Sequence, residues 1–270
     1  MQLANLPFHI GVTEKPWNPA GLPNTWPLSL HFDARRGTLA QQLTPELIGI
    51  LDRAYRTGHL IGTPLAEDSY GRPYADDFLR FVKQARIPRG ARAMEIGAGV
   101  GYLTRRLNEA GWRTTGIEPG RGYAAYWDQY GVDIIDDFFP TPRVTGRFEL
   151  ICSYAVLEHI IEPTRFLTDI RDHLSPEGVA LFSVPDCTEE IIAGDPAILF
   201  HEHINYFDAG SLARLIESIG MHAVVTKSGF GRCLYALASP TIKRIMAPGT
   251  SGLDYQVLES FPERCIRFIE

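Results

Sequence analysis

Met94-Glu95-Ile96-Gly97-Ala98-Gly99-Val100-Gly101-Tyr102-Leu103 joins an apolar strand pattern to an amphipathic helix pattern. A strand through 93–96 has to turn sharply to enter that helix. Glycine, which lacks a Cβ atom, permits positive φ and lets the backbone come close to a ligand. The segment therefore reads as a site for a nucleotide-type ligand lying across a strand end. Glu95 sets the charge of that ligand, because a carboxylate at the turn repels phosphate and attracts an ammonium or sulfonium group. The dinucleotide fingerprint also wants glycine at the sixth place of the loop, where this chain has Tyr102. A nicotinamide-dependent oxidoreductase is thereby disfavoured, and it stays as a competing reading.

The sequence beyond the loop keeps the same alternation. Leu103, Leu107 and Ala110 recur at helical spacing, and Gly111 stops the helix. A second strand pattern, 113–117, ends on Glu118, about twenty residues past the first glycine, where an acidic side chain holds ribose hydroxyls in nucleotide-binding βαβ units. A third, 132–135, ends in Asp136-Asp137-Phe138-Phe139, which offers a carboxylate to an exocyclic amine and an aromatic face to a flat base. The plainer reading of this last run is a capping aspartate and two core phenylalanines.

Taken in order, Glu95-x-Gly97-x-Gly99-x-Gly101, Glu118-Pro119 and the run from Phe148 to Leu157-Glu158-His159 resemble the class I S-adenosylmethionine-dependent methyltransferases over about residues 74–238. The resemblance implies an α/β fold: a doubly wound, Rossmann-like sheet of seven strands that ends in an antiparallel hairpin. It further implies a helix at 163–174, a turn at Ser175-Pro176-Glu177-Gly178, a buried strand at 179–184, and the hairpin at 223–226 and 233–238. S-adenosylmethionine is then the expected cofactor, held by Glu95, Gly97, Ala98, Gly99, Gly101, Tyr102, Glu118, Pro119, Asp136 or Asp137, Phe138 and Tyr154. The expected activity is methyl transfer to carbon or oxygen of a small molecule, such as a nucleotide-linked sugar or secondary metabolite. A noncatalytic cofactor-binding module is the alternative that the donor motifs alone leave open.

Composition agrees with an ordinary globular enzyme. The 270 residues are 45% hydrophobic and 21% charged. A net charge of −6 disfavours a nucleic-acid partner, which needs a concentrated basic surface. No apolar run approaches the roughly 20 residues of a membrane span. The N-terminus lacks the basic-then-apolar order of a secretion signal, so a cytoplasmic location without a membrane partner is expected. Cys152, Cys187, Cys233 and Cys265 are too dispersed for a zinc knuckle or disulfide framework.

Residues 1–73 read as an N-terminal extension. Its first 27 residues carry five prolines and read as irregular. Leu28, Leu30 and Phe32 alternate with polar residues and can form a short hairpin with 38–43. Leu47, Leu51 and Ala54 mark a helix begun by Thr44 and Pro45. The loop 58–73 reads as a lid, with Tyr70 and Tyr74 as candidate covers for the cofactor. This front half is similar to that of the deoxysugar C-methyltransferase group, in which paired cysteines of the hairpin bind zinc. None is present at 30–37, and no metal is expected. Residues 241–270 read as helical with an interruption at Pro262. In the deoxysugar group a further domain normally follows such a helix, so the chain is a shorter relative or a fragment.

Phe200-His201-Glu202-His203-Ile204-Asn205-Tyr206-Phe207 is the second candidate for chemistry. It precedes a helix capped by Asp208 and lies at the sheet edge where doubly wound folds bind ligands. His201, Glu202 and His203 are the candidate catalytic residues, because groups of this kind can take a proton as methyl transfer proceeds. The resemblance ties Glu202 and His203 to proton removal, and Phe200 departs from its tyrosine. His159 either faces the donor or packs. Tyr123, Tyr126, Trp127 and Tyr130 read as one buried helix stripe.

Overall fold

A computed structural model describes residues 2–8, 21–57, 69–241 and 253–269. Chain order begins with β1 (Gln2–Pro7), β2 (Thr25–Asp33), β3 (Thr38–Gln41), α1 (Pro45–Thr57) and α2 (Arg72–Gln84). The alternating part follows as β4 (Arg92–Ile96), α3 (Tyr102–Glu109), β5 (Arg113–Ile117), α4 (Ala124–Tyr130), β6 (Asp133–Ile135), β7 (Phe148–Tyr154), α5 (Pro163–His173) and β8 (Leu174–Pro185). Then come α6 (Thr188–Ala193), β9 (Asn205–Tyr206), α7 (Ala209–Glu217), β10 (His222–Lys227), β11 (Cys233–Ser239), α8 (Tyr255–Glu259) and α9 (Phe261–Ile269).

Seven strands form one sheet in the order β10-β11-β8-β7-β4-β5-β6. Five are parallel, and β11 runs antiparallel to both β8 and β10. Both faces are covered, which is why Leu150-Ile151-Cys152 and Ala180-Leu181-Phe182 are continuous apolar runs. Met94, Ile151, Phe182 and Leu212 pack on one face, and Leu103, Leu150, Leu181 and Tyr235 on the other. The fold is thus the Rossmann-like α/β sheet with a terminal hairpin.

Three expectations need correction. Ser175 to Gly178 is not a separate turn but a bulged start of β8, because Leu174 already pairs with Phe148 and Val179 pairs with Leu150. Gly178 fits this bulge, since a Cβ there would meet the Phe148 carbonyl oxygen at 2.7 Å. The first residues are not irregular either. They form β1 against β2, and a bulge between Leu3 and Leu6 lies opposite Pro27, where the missing N–H removes a ladder bond. In the aromatic run, Tyr123 and Trp127 are buried while Tyr126 is 44% exposed. Tyr123 belongs to a 3-10 turn ahead of α4, so the four rings do not share one α-helical face.

A second sheet, β1-β2-β3-β9, ties the N-terminal strands to the segment between β8 and α7. Leu39 and Ala40 pair with Tyr206 and Asn205, Gln41 N–H donates to the Ile204 carbonyl at 2.8 Å, and Thr38 Oγ1 donates to the Tyr206 carbonyl at 2.9 Å. One core beneath this sheet gathers Leu28, Leu30 and Leu39 with Ile191, Tyr206, Leu258 and Phe261. It therefore draws on both ends of the chain and the middle. Residues 9–20, 58–68 and 242–252, the second stretch taking in most of the expected lid, lie outside the described residues.

Leu39 is fully buried at the centre of this core. Leu39→Ala should lower the unfolding free energy by about 2–5 kcal/mol through lost burial and the cavity left behind, as read by urea denaturation.

Candidate active site

The switch point of the large sheet lies at β4, which is flanked by β5 on one side and β7 on the other. Connections leave in opposite directions there and open a crevice at the strand ends. A cavity of about 1500 Å³ fills it. Gly97 and Ala98 both donate their N–H groups to the Ile117 carbonyl, at 2.9 and 3.0 Å, which pins the turn across the end of β5. Gly97 has φ of 78°, and a Cβ there would sit 2.3 Å from Val156 Cγ2. Gly99 also has positive φ, but its Cβ position is open. The first glycine is demanded by packing and the second by backbone conformation.

Carboxylates hold this turn from beneath. Glu95 is almost fully buried and accepts a short hydrogen bond from Thr104 Oγ1. Burial pushes its carboxyl up to about 8. Glu118 accepts from Gly99 N–H at 2.8 Å and from Gly120 N–H at 2.7 Å, so it binds the glycine loop to the end of its own strand. Its carboxyl is raised by burial and partly lowered again by those two bonds. Trp127 Nε1 donates to the Gly99 carbonyl at 2.7 Å, a support that the helical spacing of the aromatics did not disclose.

The cavity brings together most of the sequence-derived candidates. Glu95, Gly97, Ala98, Gly99, Glu118 and Pro119 line it, as do Asp137, Phe138, Tyr154 and Tyr74. Asp137 is oriented by Thr141 Oγ1 at 2.7 Å and by Phe138 N–H at 2.8 Å, and the Arg56 guanidinium lies 4.8 Å from the Phe138 ring centroid. Tyr74 is on α2, its ring 4.8 Å from that of Phe230 and its hydroxyl 3.5 Å from that of Tyr70.

Four candidates fall outside the cavity lining. Asp136 pairs with Arg143 at 2.7 Å and Arg121 at 2.9 Å, and the Arg143 hydrogen bond holds its carboxyl below the usual range. Gly101 starts α3, with its Cβ direction closed by Val132 at 2.8 Å. Tyr102 is buried and takes a hydrogen bond from Arg106 at 2.7 Å. His201 is fully buried, stacked on Phe8 at 4.9 Å, with Nε2 2.8 Å from the Trp26 carbonyl. Its role is to anchor the N-terminal strands.

In another part of the cavity wall, two loops meet. Ile204 N–H donates to the Glu158 carbonyl at 2.8 Å, and Asn205 Nδ2 donates to the Ile160 carbonyl at 2.8 Å. Glu158, His159, Glu202 and His203 thereby line one corner, joined by Tyr55 from α1. Burial pushes the Glu158 and Glu202 carboxyls up to about 8 each. It lowers His159 to about 4, and with the neighbouring His159 it lowers His203 to about 3. Both imidazoles are therefore neutral at pH 7, and the 3.8 Å approach of His159 Nε2 to Glu158 is not an ion pair. His159 Nδ1 lies 2.8 Å from the Glu202 carbonyl, which can only accept, so Nδ1 carries the proton and Nε2 a lone pair.

Glu158, His159 and His203 place one ligand atom each within 4.8 Å of one another, the nearest approach to a metal site among the described residues. Tetrahedral zinc holds its nitrogen and oxygen ligands at about 2.0–2.1 Å from the metal, so this corner would have to contract around an ion. Sequence reading passed over Glu158 and Tyr55. The signal for Tyr55 was its place four residues after Leu51, on the apolar stripe of α1.

Comparison with known proteins follows this geometry. A family model described as a methyltransferase domain matches residues 67–225. The chain belongs to that methyltransferase-domain family. A C-methyltransferase, NovU, of Streptomyces niveus is 29% identical over 150 residues, covering 53% of this chain and 36% of the relative. A ubiquinone biosynthesis O-methyltransferase of Dinoroseobacter shibae is 24% identical over 192 residues, covering 64% of this chain and 76% of the relative. This chain thus spans about a third of the first relative and three quarters of the second. A Burkholderia thailandensis 1,6-didemethyltoxoflavin-N1-methyltransferase, solved with 1,6-didemethyltoxoflavin and S-adenosylhomocysteine, shares the fold at TM-score 0.53 and 17% identity, over 77% of this chain and 96% of that one. Among the described residues no helix is long and apolar enough to cross a membrane.

Gly97→Ala should collapse this turn, with a loss of thermal stability in differential scanning calorimetry. The double variant Gly97→Ala/Val156→Ala should recover only part of it, because the overlap is relieved while the strain of positive φ persists.

Proposed function

We propose that the cavity binds S-adenosylmethionine and that the protein transfers its methyl group to a small-molecule acceptor. The observation that carries this reading is the convergence, over one crevice, of a carboxylate-backed glycine turn at one end and a corner of proton-accepting groups at the other. The residues suit the donor. Glu95 is a buried carboxyl close to the turn without a cationic partner among the described residues, and Glu118 sits where ribose hydroxyls bind in such βαβ units. Asp137 and Phe138 are placed for an exocyclic amine and a base face, while Tyr154 and Tyr74 close the sides. The bound donor supplies an electrophilic methyl on a positively charged sulfur, and its own leaving group.

The protein supplies alignment and a base. Glu202, like Glu158, is a stronger proton acceptor than the imidazoles once ionised, and His203 beside it stays neutral across the physiological range. The titratable groups around Glu202 are Glu158, His159 and His203 in the same corner, Tyr55 from α1 and Tyr123 ahead of α4. Similarity to the deoxysugar C-methyltransferase group supports a nucleotide-linked sugar or related secondary metabolite as the acceptor, methylated at carbon or oxygen. A mass-spectrometric screen of such compounds for the gain of one methyl group tests the function. Donor binding without any turnover would favour the noncatalytic module.

Two outcomes follow at the residue level. Glu118→Ala should weaken S-adenosylmethionine binding by at least about ten-fold in calorimetry and lower the melting temperature while the fold is retained, because the Gly99 and Gly120 N–H groups lose their acceptor together with the ribose hydroxyls. The Glu202 carboxyl, held up at about 8, is mostly protonated at pH 7, and its accepting form grows as pH rises. Turnover should therefore increase about ten-fold from pH 7 to pH 9, and Glu202→Gln should abolish that rise. His203→Ala should reduce turnover with donor binding retained.

A further inference from the structure

Three buried polar atoms at the far corner have no hydrogen-bond partner among the described residues: the Tyr55 hydroxyl, Glu158 Oε2 and Glu202 Oε1. They come from three separate parts of the chain, namely α1 of the N-terminal extension, the loop after β7 and the loop after β8. Folded proteins seldom leave such atoms unpaired, and three at one end of a ligand cavity mark the place of a polar ligand. The Tyr55 and His159 rings make a T-shaped contact with 6.0 Å between centroids, so Tyr55 borders the same corner. Arg165 of the cavity wall pairs outward with Asp169 at 3.0 Å and does not serve Glu158 or Glu202.

The chemistry of the trio is selective. Two buried carboxyl groups offer a carboxylate or phosphate no compensating positive charge, and they repel it once ionised. Each offers an accepting oxygen, and the phenol both donates and accepts, so the complementary group carries hydroxyls. Three partners arriving from three directions are met by two neighbouring hydroxyls better than by one. We propose that Tyr55, Glu158 and Glu202 form the acceptor subsite, and that it takes an uncharged part of the acceptor bearing adjacent hydroxyls, with the Tyr55 phenol bonded to one of them. This deepens, and rests on, the methyl-transfer reading above. It gives the N-terminal extension a direct part in recognition, since α1 carries Tyr55 across the cavity.

The test uses the full chain saturated with S-adenosylhomocysteine. Catechol and methyl α-glucoside serve as neutral vicinal diols and benzoate as the anion, each titrated by calorimetry and ligand-observed NMR. At least one diol should bind saturably, benzoate should not, and Tyr55→Phe should weaken the diol about ten-fold without changing S-adenosylhomocysteine affinity. Tyr55→Phe keeps the ring and removes only the oxygen, so unaltered melting separates recognition from folding. Equal diol affinity in wild type and Tyr55→Phe would overturn the proposal, as would benzoate binding as well as the diols or no saturable binding of either diol. Failure of S-adenosylhomocysteine to bind wild type would instead remove the methyl-transfer reading. The diol titrations, run without it, would still decide the subsite.

Discussion

Strand β4 is hydrogen-bonded on both sides by parallel partners, and the chain leaves it toward β5 in one direction and reaches β7 in the other. That single pairing arrangement creates the crevice. Because both faces of the sheet are buried, the only place where backbone ends and polar side chains can face a ligand is the carboxyl edge of the strands. The glycine turn follows from it. Gly97 must pass within van der Waals contact of Val156 on the β7 side while its N–H reaches the carbonyl at the end of β5.

The second sheet depends on the same edge. The connection after β8 pairs through Asn205 and Tyr206 with β3, and it bonds backward to the loop after β7 through Ile204 and Asn205. Glu158, His159, Glu202 and His203 are thus held by bonds to main-chain carbonyls, from the Ile204 N–H, the Asn205 amide and the His159 ring. His201, between the catalytic candidates and the N-terminal strands, fixes the junction by stacking on Phe8 and bonding to Trp26. Placing the extension here also brings α1 to the cavity wall.

Electrostatics of the two ends differ in kind. At the glycine turn, carboxyls are engaged by Thr104 and by backbone N–H groups, which fixes the turn against the strand ends. At the far corner, carboxyls and phenol are buried and unpaired, and the imidazoles are neutral. Desolvation dominates there because no cation is close enough to offset it. The carboxyls of the glycine turn are satisfied within the protein, and those of the second corner keep unpaired oxygens for polar chemistry.

The order of strands and helices, the glycine turn with Glu95, and Glu118 at the end of β5 were legible in the sequence because they are local. Each depends on period, on a glycine's φ or on a residue's distance along one βα unit. The wider helix around the aromatics and the turn at 175–178 were misread, since exposure of Tyr126 and the bulge in β8 are settled by neighbours far along the chain. Residue type and spacing could not separate His201 from His203, or Asp136 from Asp137. Both segments lie outside helices and strands, so no period tells which way a side chain points, and only the packed partners, Trp26 and Phe8 for His201 and the cavity for His203, determine which is wet. Tyr55 was the least legible of all. More than a hundred residues separate it from Glu158 and Glu202, and nothing but tertiary packing of α1 over the sheet edge brings its hydroxyl to theirs.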